Sequence, residues 1–495
     1  MRTFPTPHRT VLRGSVLSIL LLACLSACTT VGPNYHPPQA DLPTAWHEPQ
    51  PGFSAAERES LQTWWRTFND PMLDQLLALA LANNQDLGIA LARLQQARAE
   101  RMQIAAGLGP SVSVGGVGES SRSSRRLDGS PGGHSRTWRA GFDASWELDL
   151  FGGTRRAVEA ADAGVEALAD DRRALQVSLL AELATSYAEL RTAQARLAIT
   201  RDNISNLLEG ESLAGRALQR GLGTTAEVMQ ARAEREAAEA QPPLLEADIA
   251  RLSHAIGVLA GGFPGDWRAA LAEPAPALPV APALPLALPS EVIRQRPDLQ
   301  ADERRLAAAT AQIGVADAAR FPRFSIPLSI GATASLIHNL FSGASLAWSA
   351  GMQASQTLYD GGRARAGITA AQAGADAAKL VYERDVRLAL RDVENALTGL
   401  NSERQRQVSL AAAVNDSQMA RDRATRLYRA GLSAYLPVLI AQRTLNQARD
   451  ALALSQWGEV RGAISLYKAL GAGWQEDSLA QDAKSPDLPE KAVGL

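Results

Sequence analysis

The chain has 495 residues, 21% of them charged, and a formal net charge of −2. That balance gives no bulk support for nucleic-acid binding, and the 46 Arg and 4 Lys are interspersed with Glu and Asp, the pattern of solvated helix faces. Both cysteines, Cys24 and Cys28, lie at the very start, which excludes a disulfide or a cysteine-based metal site from the body of the chain.

Arg2, Arg9 and Arg13 precede an apolar run over 16–25, the layout of a secretory signal peptide. The run ends Leu25-Ser26-Ala27-Cys28, which resembles a bacterial lipobox, the motif that makes its cysteine the new N-terminus with lipid on the sulfur. Leu21-Leu22-Ala23-Cys24 is a weaker competitor, with a bulky middle residue and a short apolar run. The alternative is an ordinary signal peptide with a passive cysteine. In this resemblance Thr29, a non-aspartate after the cysteine, points to the outer membrane. Cleavage before Cys28 removes three arginines and no acids, taking the formal charge from −2 to −5.

Residues 31–46 hold four prolines and read as extended, without a core of their own. Helical patterns follow over 69–83 and 86–108, broken at Asn84-Gln85. Next come two strand signals, about 111–119 and 138–148. The second alternates strictly, with Trp138, Ala140, Phe142, Ala144, Trp146 and Leu148 on one face.

Residues 154–220 contain no proline and are rich in strong helix formers. Leu183, Leu190, Leu197 and Ile204 fall seven apart, and Leu218 rejoins the register, so the stretch reads as a coiled-coil rod about 100 Å long. Gly221-Leu222-Gly223 ends it, Thr224-x-x-Glu227 is a capping box for a return helix, and Pro242-Pro243 should kink that helix. Residues 264–289 are a proline-rich strap.

The pattern then repeats. Asp86-Leu87 recurs as Asp298-Leu299 and Pro110 as Pro322, both 212 residues on; Gly152-Gly153 recurs as Gly361-Gly362 at 209, and Gly221-Leu222 as Gly431-Leu432 at 210. Strands are expected about 324–334 and 345–356, and a second rod over 363–430 with Val386, Val393, Leu400 and Val414. The expected organisation is a signal peptide over 1–27 and a lipid-anchored extended segment over 28–68. A first repeat follows over 69–263 (long hairpin 154–260), then a linker over 264–290. A second repeat covers 291–474 (long hairpin 363–470), and a polar tail 475–495.

Strands of this length match those that cross a bilayer in a β-barrel. Soluble hairpins on a core are the alternative, but nothing else in the chain covers their apolar faces. Four strands cannot close in lipid, so several chains must contribute. Two chains give about eight strands, filled by side chains; three give about twelve, with room for a channel. There is no ordinary transmembrane helix after the signal peptide.

Val31-Gly32-Pro33-Asn34-Tyr35 after Cys28 resembles the mature start of TolC/OprM-like outer-membrane lipoproteins. Leu288-Pro289-Ser290-Glu291, Arg296-Pro297-Asp298-Leu299 and Glu303-Arg304-Arg305-Leu306 resemble that family's inter-repeat stretch. Tyr428-Arg429-Ala430-Gly431-Leu432-Ser433 and Ala441-Gln442-Arg443 resemble its periplasmic tip. The resemblance covers nearly all of 28–474. It implies an α+β membrane protein of duplicated halves, giving four strands to a trimeric twelve-stranded β-barrel and long coiled-coil helices to a periplasmic α-barrel. It implies a homotrimer, contact with outer-membrane lipid, a periplasmic adaptor (membrane fusion) protein and an inner-membrane RND-type transporter.

Expected adaptor-docking tips are Gly221, Leu222, Gly223, Gly431, Leu432 and Ser433. Pure turn geometry is the other reading of these residues. Family channels often ring the periplasmic entrance with acids just past the second tip. Here those positions are Pro437 and Ile440, with Glu227 and Gln230 as their first-half counterparts. The resemblance has Tyr428 bond across to an acid at Glu227, a contact expected to hold the coils shut; because Pro437 and Ile440 stand where the acids would be, Ile440 and its symmetry copies are expected to narrow the entrance as an apolar ring. The capping-box role of Glu227 is an equal reading, and the two can coexist.

No catalytic or cofactor motif appears. Gly115-Gly116-Val117-Gly118 lacks the helix that a phosphate loop needs and reads as a Gly-rich strand. The function implied is the outer-membrane exit channel of a tripartite efflux pump, not an enzyme. The channel of a type I protein-secretion system is an alternative, and so is a poreless lipid-anchored coiled-coil tether.

Overall fold

A computed structural model describes residues 30–38, 42–48, 54–55, 61–124, 133–273, 284–286 and 289–474. The signal peptide of 1–27, Cys28 and the tail of 475–495 lie outside the described residues. In chain order the main elements are helices α1 (Pro71–Asn83) and α2 (Gln85–Ala106), then strands β1 (Ser111–Arg122) and β2 (His134–Leu148). Helices α3 (Gly153–Gln219), α4 (Thr225–Glu239), α5 (Pro242–Leu259), α6 (Arg268–Ala272), α7 (Pro289–Gln295) and α8 (Pro297–Ala318) follow. Strands β3 (Arg323–Ala334), β4 (Leu346–Ala350) and β5 (Gln353–Ser355) precede helices α9 (Arg363–Arg429) and α10 (Leu436–Ala469). Contacts divide the chain into one unit of Met1–Gln39, Ala92–Ala169 and Ala301–Glu383, and another of Ala40–Leu91, Asp170–Gln300 and Arg384–Leu495.

The first unit carries the sheet, an antiparallel meander in the order β1-β2-β3-β4, with β5 continuing along β3. The central pairing joins the two repeats: Asp143 of β2 lies opposite Ser329 of β3. One face carries Val114, Phe142, Ile330 and Trp348 in cross-strand register, all exposed. The other carries Ser113, Asp143, Ser329 and Ser349 at adjacent positions, and the Oγ atoms of Ser329 and Ser349 are 2.8 Å apart. This is the period-two alternation of strands with one face in lipid.

The strands differ in detail from the sequence expectation. The first pair is longer, reaching Arg122 and starting at His134. The strand expected over 345–356 is interrupted between Ala350 and Gln353. Gly351 N donates to Pro327 O at 3.1 Å, but Pro327 has no N–H to return the bond.

The second unit holds the main hydrophobic core. Asp70 caps α1, accepting from Met72 N (2.9 Å) and Leu73 N (3.1 Å), with Pro71 in the first turn. Leu73, Leu76, Leu77 and Ala80 then form its buried stripe. Trp64 stacks on Tyr467 at 4.8 Å within the same core. The segment expected to be extended to residue 68 therefore ends in a helical turn, Trp64–Phe68, whose aromatic side chains are buried.

The linker also departs from a coreless strap. It contains α6, and Leu271 and Leu284 are fully buried. Arg191 holds it by donating to the carbonyl of Glu273 at 2.9 Å. The expected break at Pro242-Pro243 separates α4 from α5, whereas α10 runs uninterrupted for 34 residues.

Along α3 the heptad seam is buried at Leu183, Leu190 and Leu197, but Ile204 is half-buried and Leu218 is exposed. Leu207 and Ala214 are buried instead. A strict seven-residue repeat drifts about 20° per heptad on a straight helix, so the buried stripe steps to the next row.

Candidate functional site: the hairpin tips and their lock

Both long helices end in the same way. Gly221 N donates to Leu218 O and Leu222 N to Ala217 O, each at 2.9 Å; Gly431 N donates to Tyr428 O and Leu432 N to Leu427 O, also at 2.9 Å. These are Schellman turns, and each needs a left-handed residue at its glycine. Gly221 has φ +70° and Gly431 φ +71°. The turns present Leu222 and Leu432, 79% and 75% exposed, at their apices. Gly223 packs back on Ala217, and Ser433 donates from Oγ to the carbonyl of Ala434 at 3.2 Å.

The return helices start differently. Thr224 and Glu227 form the expected capping box: Glu227 N donates to Thr224 Oγ1 at 3.2 Å, and Thr224 N to Glu227 Oε2 at 3.0 Å. In the second repeat the matching residues are Ala434 and Pro437, which cannot make a box. Glu227 serves there too. Its Oε1 accepts from Tyr435 N at 3.1 Å, across the two hairpins. The backbone donors of Thr224 and then Tyr435 hold its carboxyl below the usual range.

This corrects the expected Tyr428–Glu227 bond. The carboxylate is engaged by orphan N–H groups at two helix starts. The Tyr428 hydroxyl, by contrast, is buried with no hydrogen-bond partner among the described residues. The Tyr428 ring instead lies 5.0 Å from that of Tyr435. Tyr435, 1% exposed, is pushed up to about 12 by burial, reinforced by Tyr428 and Glu211. Leu207, Ala231, Val438 and Leu439 complete this small core.

Polar links between the repeats surround it. Gln442 Nε2 donates to Asn203 Oδ1 at 2.9 Å in a buried pair, Arg429 meets Glu209 at 2.6 Å, and Arg449 meets Asp202 at 2.8 Å. Pro437, in the first turn of α10, is exposed, as are Ile440 at 57% and Gln230. The missing donors and acceptors in the second repeat were the available signal for Tyr435. Gln442 lay within the Ala441-Gln442-Arg443 resemblance, but its partner Asn203 carried no signal, because it belongs to neither a heptad nor a cap.

Among the described residues no helix is long and apolar enough to cross a membrane, and no group of His, Cys, Asp or Glu could hold a metal ion. The outer membrane efflux protein family model matches residues 76–262 and 288–472, one segment on each repeat. The chain belongs to that family. It is 32% identical over 482 residues to the pyoverdine export outer membrane protein OpmQ of Pseudomonas putida, covering 93% of this chain and 97% of OpmQ. It is 31% identical to the solvent efflux pump outer membrane protein SrpC of Pseudomonas putida, covering 92% of this chain and 98% of SrpC. The solved outer-membrane channel OprN superposes with a TM-score of 0.84 at 37% identity, over 90% of this chain and all of the OprN chain. This efflux family member is an outer-membrane channel of an efflux pump, not an enzyme.

Proposed function

We propose that three copies of this chain form the exit duct of a tripartite pump, fed by a periplasmic adaptor and an inner-membrane RND-type transporter. The observation that carries the assembly of several copies is the sheet itself. Its apolar face is uncovered, and β1 and β4–β5 each pair on one side only among the described residues. Lipid tolerates no such edges, so another copy must supply the partner strand.

The internal repeat supports one register. Trp138, Ala140 and Gly141 of β2 recur as Trp348, Ala350 and Gly351, 210 residues on, and β1 recurs as β3 at 212. Carrying the Asp143–Ser329 pair through those offsets places Gln353 opposite Val117 of the next copy. Cys28 carries the lipid anchor, Leu222 and Leu432 meet the adaptor, and Ile440 lines the periplasmic entrance. Relatives named for pyoverdine and for solvent match 93% and 92% of this chain, which supports a duct whose cargo is chosen by the inner-membrane partner.

Val117→Cys with Gln353→Cys tests the assembly. The lipidated mature chain has no other thiol, so mild oxidation should produce a covalently closed trimer that still conducts in planar bilayers. Uncrosslinked monomers from oxidised membranes would overturn the register, and absence of conductance would overturn the duct.

A further inference from the structure

The segment just after the lipidation cysteine sits in a built receptor. Arg156, only 2% exposed, donates from Nε to Val31 O (3.0 Å) and from Nη2 to Gly32 O (3.2 Å) and Asn34 Oδ1 (2.7 Å). Glu159 neutralises it at 2.7 Å. Val31 N donates to Phe151 O at 3.1 Å. A buried guanidinium is costly unless each donor finds an acceptor. Here most of those acceptors come from a segment with no regular structure of its own.

The fit is also steric. Gly32 has φ +87°, and a Cβ there would lie 2.4 Å from Gly314 Cα. A Cβ on Gly152, φ +78°, would lie 2.6 Å from Thr30 Cγ2. Further along, the Tyr35 hydroxyl donates to Glu303 Oε1 at 3.1 Å, and Arg304 stands over the Tyr35 ring at 5.6 Å while pairing with Glu303 and Glu166. The receptor occupies the turn from β2 into α3, where Phe151 stacks on Phe321 at 4.6 Å, just before β3. The two motifs that stood apart in the sequence, Val31–Tyr35 and Glu303–Leu306, are thus one contact.

We propose that residues 30–35 are a latch, with Arg156 as its positioning residue, that fixes the lipid anchor against the strand-to-helix junction. The inference rests on the lipidation of Cys28. Only Thr29 stands between Cys28 and Thr30, and two residue steps of extended chain reach at most about 7 Å. A latched lipid enters the membrane beside the strand ends and guides their insertion; an unlatched one is only a tether.

The test compares Gly32→Ala, which blocks docking from the segment side, with Arg156→Ala, each in full-length protein with Cys28 or with Cys28→Ser. Hydrogen exchange at residues 30–38 should accelerate in both variants while β2 and β3 stay protected. The yield of heat-resistant trimers should fall in the lipidated background to the level of Cys28→Ser, and no further when combined with it. Equal losses in both backgrounds would reduce Arg156 to a packing role and overturn the latch, as would an undiminished yield with the segment freed. Mass spectrometry separates this from its premise: an unacylated N-terminal peptide would overturn the lipid anchor itself.

Discussion

Glu227 Oε1 accepts the backbone N–H of Tyr435 at 3.1 Å, so one carboxylate of the first hairpin caps the start of the second hairpin's return helix as well as its own. The link joins the two repeats beside the tips. A hydrogen bond to a charged group contributes about 1.5–3 kcal/mol, and partial exposure puts this one near the lower end. In a trimer it would occur three times. Glu227→Ala should therefore raise single-channel conductance in planar bilayers. Tyr428→Phe should leave conductance unchanged, because the Tyr428 hydroxyl has no partner among the described residues. A conductance gain from Tyr428→Phe alone would return the lock to the tyrosine.

The same carboxylate gives the lock a pH dependence. Its folded pKa is depressed, first by the Thr224 N–H and then by that of Tyr435. A depressed acid stabilises fully above its unfolded pKa, and the contribution is lost as pH falls through the lower folded value. Conductance of the wild type should thus be flat above the ordinary carboxylate value of 4.5 and rise as the periplasmic side is acidified below it. Glu227→Ala should already be high and show no such step. A step of equal size in both proteins would assign the titration to another group.

Leu222 and Leu432 are apolar residues held outward by rigid Schellman turns, not by flexible loops. They are the core of the proposed adaptor-docking surface. Leu222→Asp and Leu432→Asp should abolish pump-dependent export while heat-resistant trimers and bilayer conductance persist. Normal export by both variants would move the docking surface elsewhere.

The strands were legible because alternation such as Trp138 to Leu148 depends only on a two-residue period and a lipid face. The tips were legible because a glycine after a long periodic helix has few other roles. Burial of Leu271 and Leu284 was hidden, because proline spacing describes the backbone and not what the linker packs against. The seam failed at Leu218 because heptad counting assumes supercoiling over the whole helix. Glu227 was given two partners: the capping box with Thr224 is present, whereas its bond across the hairpins goes to the Tyr435 backbone and not to the Tyr428 hydroxyl. Resemblance supplied a tyrosine, whereas the loss of Thr and Glu at Ala434 and Pro437 left a backbone donor at Tyr435 in need of an acceptor. The latch was half legible: both motifs stood out, but Arg156, which joins Val31 to Asn34, lay unmarked within an ordinary helix start.

Ile440 offers the most direct test of the proposed periplasmic entrance. It is exposed on the first turns of α10, three residues after Pro437, and its backbone carbonyl is already taken by Thr444 Oγ1 at 3.0 Å. An apolar side chain there gives a multivalent cation no ligand and no field. Three copies would only narrow the opening. Wild-type channels should therefore be blocked weakly by trivalent cobalt hexammine from the periplasmic side. Ile440→Asp would place three carboxylates around one axis, where opposite charge and low solvent access reinforce binding. Block by the same cation should become much tighter and should weaken as salt is raised, since screening acts on exposed charge. Ile440→Ala is the control: it should widen the opening without introducing block. If the wild type is already blocked tightly and Ile440→Asp adds nothing, the acids that set selectivity lie elsewhere in the duct, and Ile440 does not face the axis.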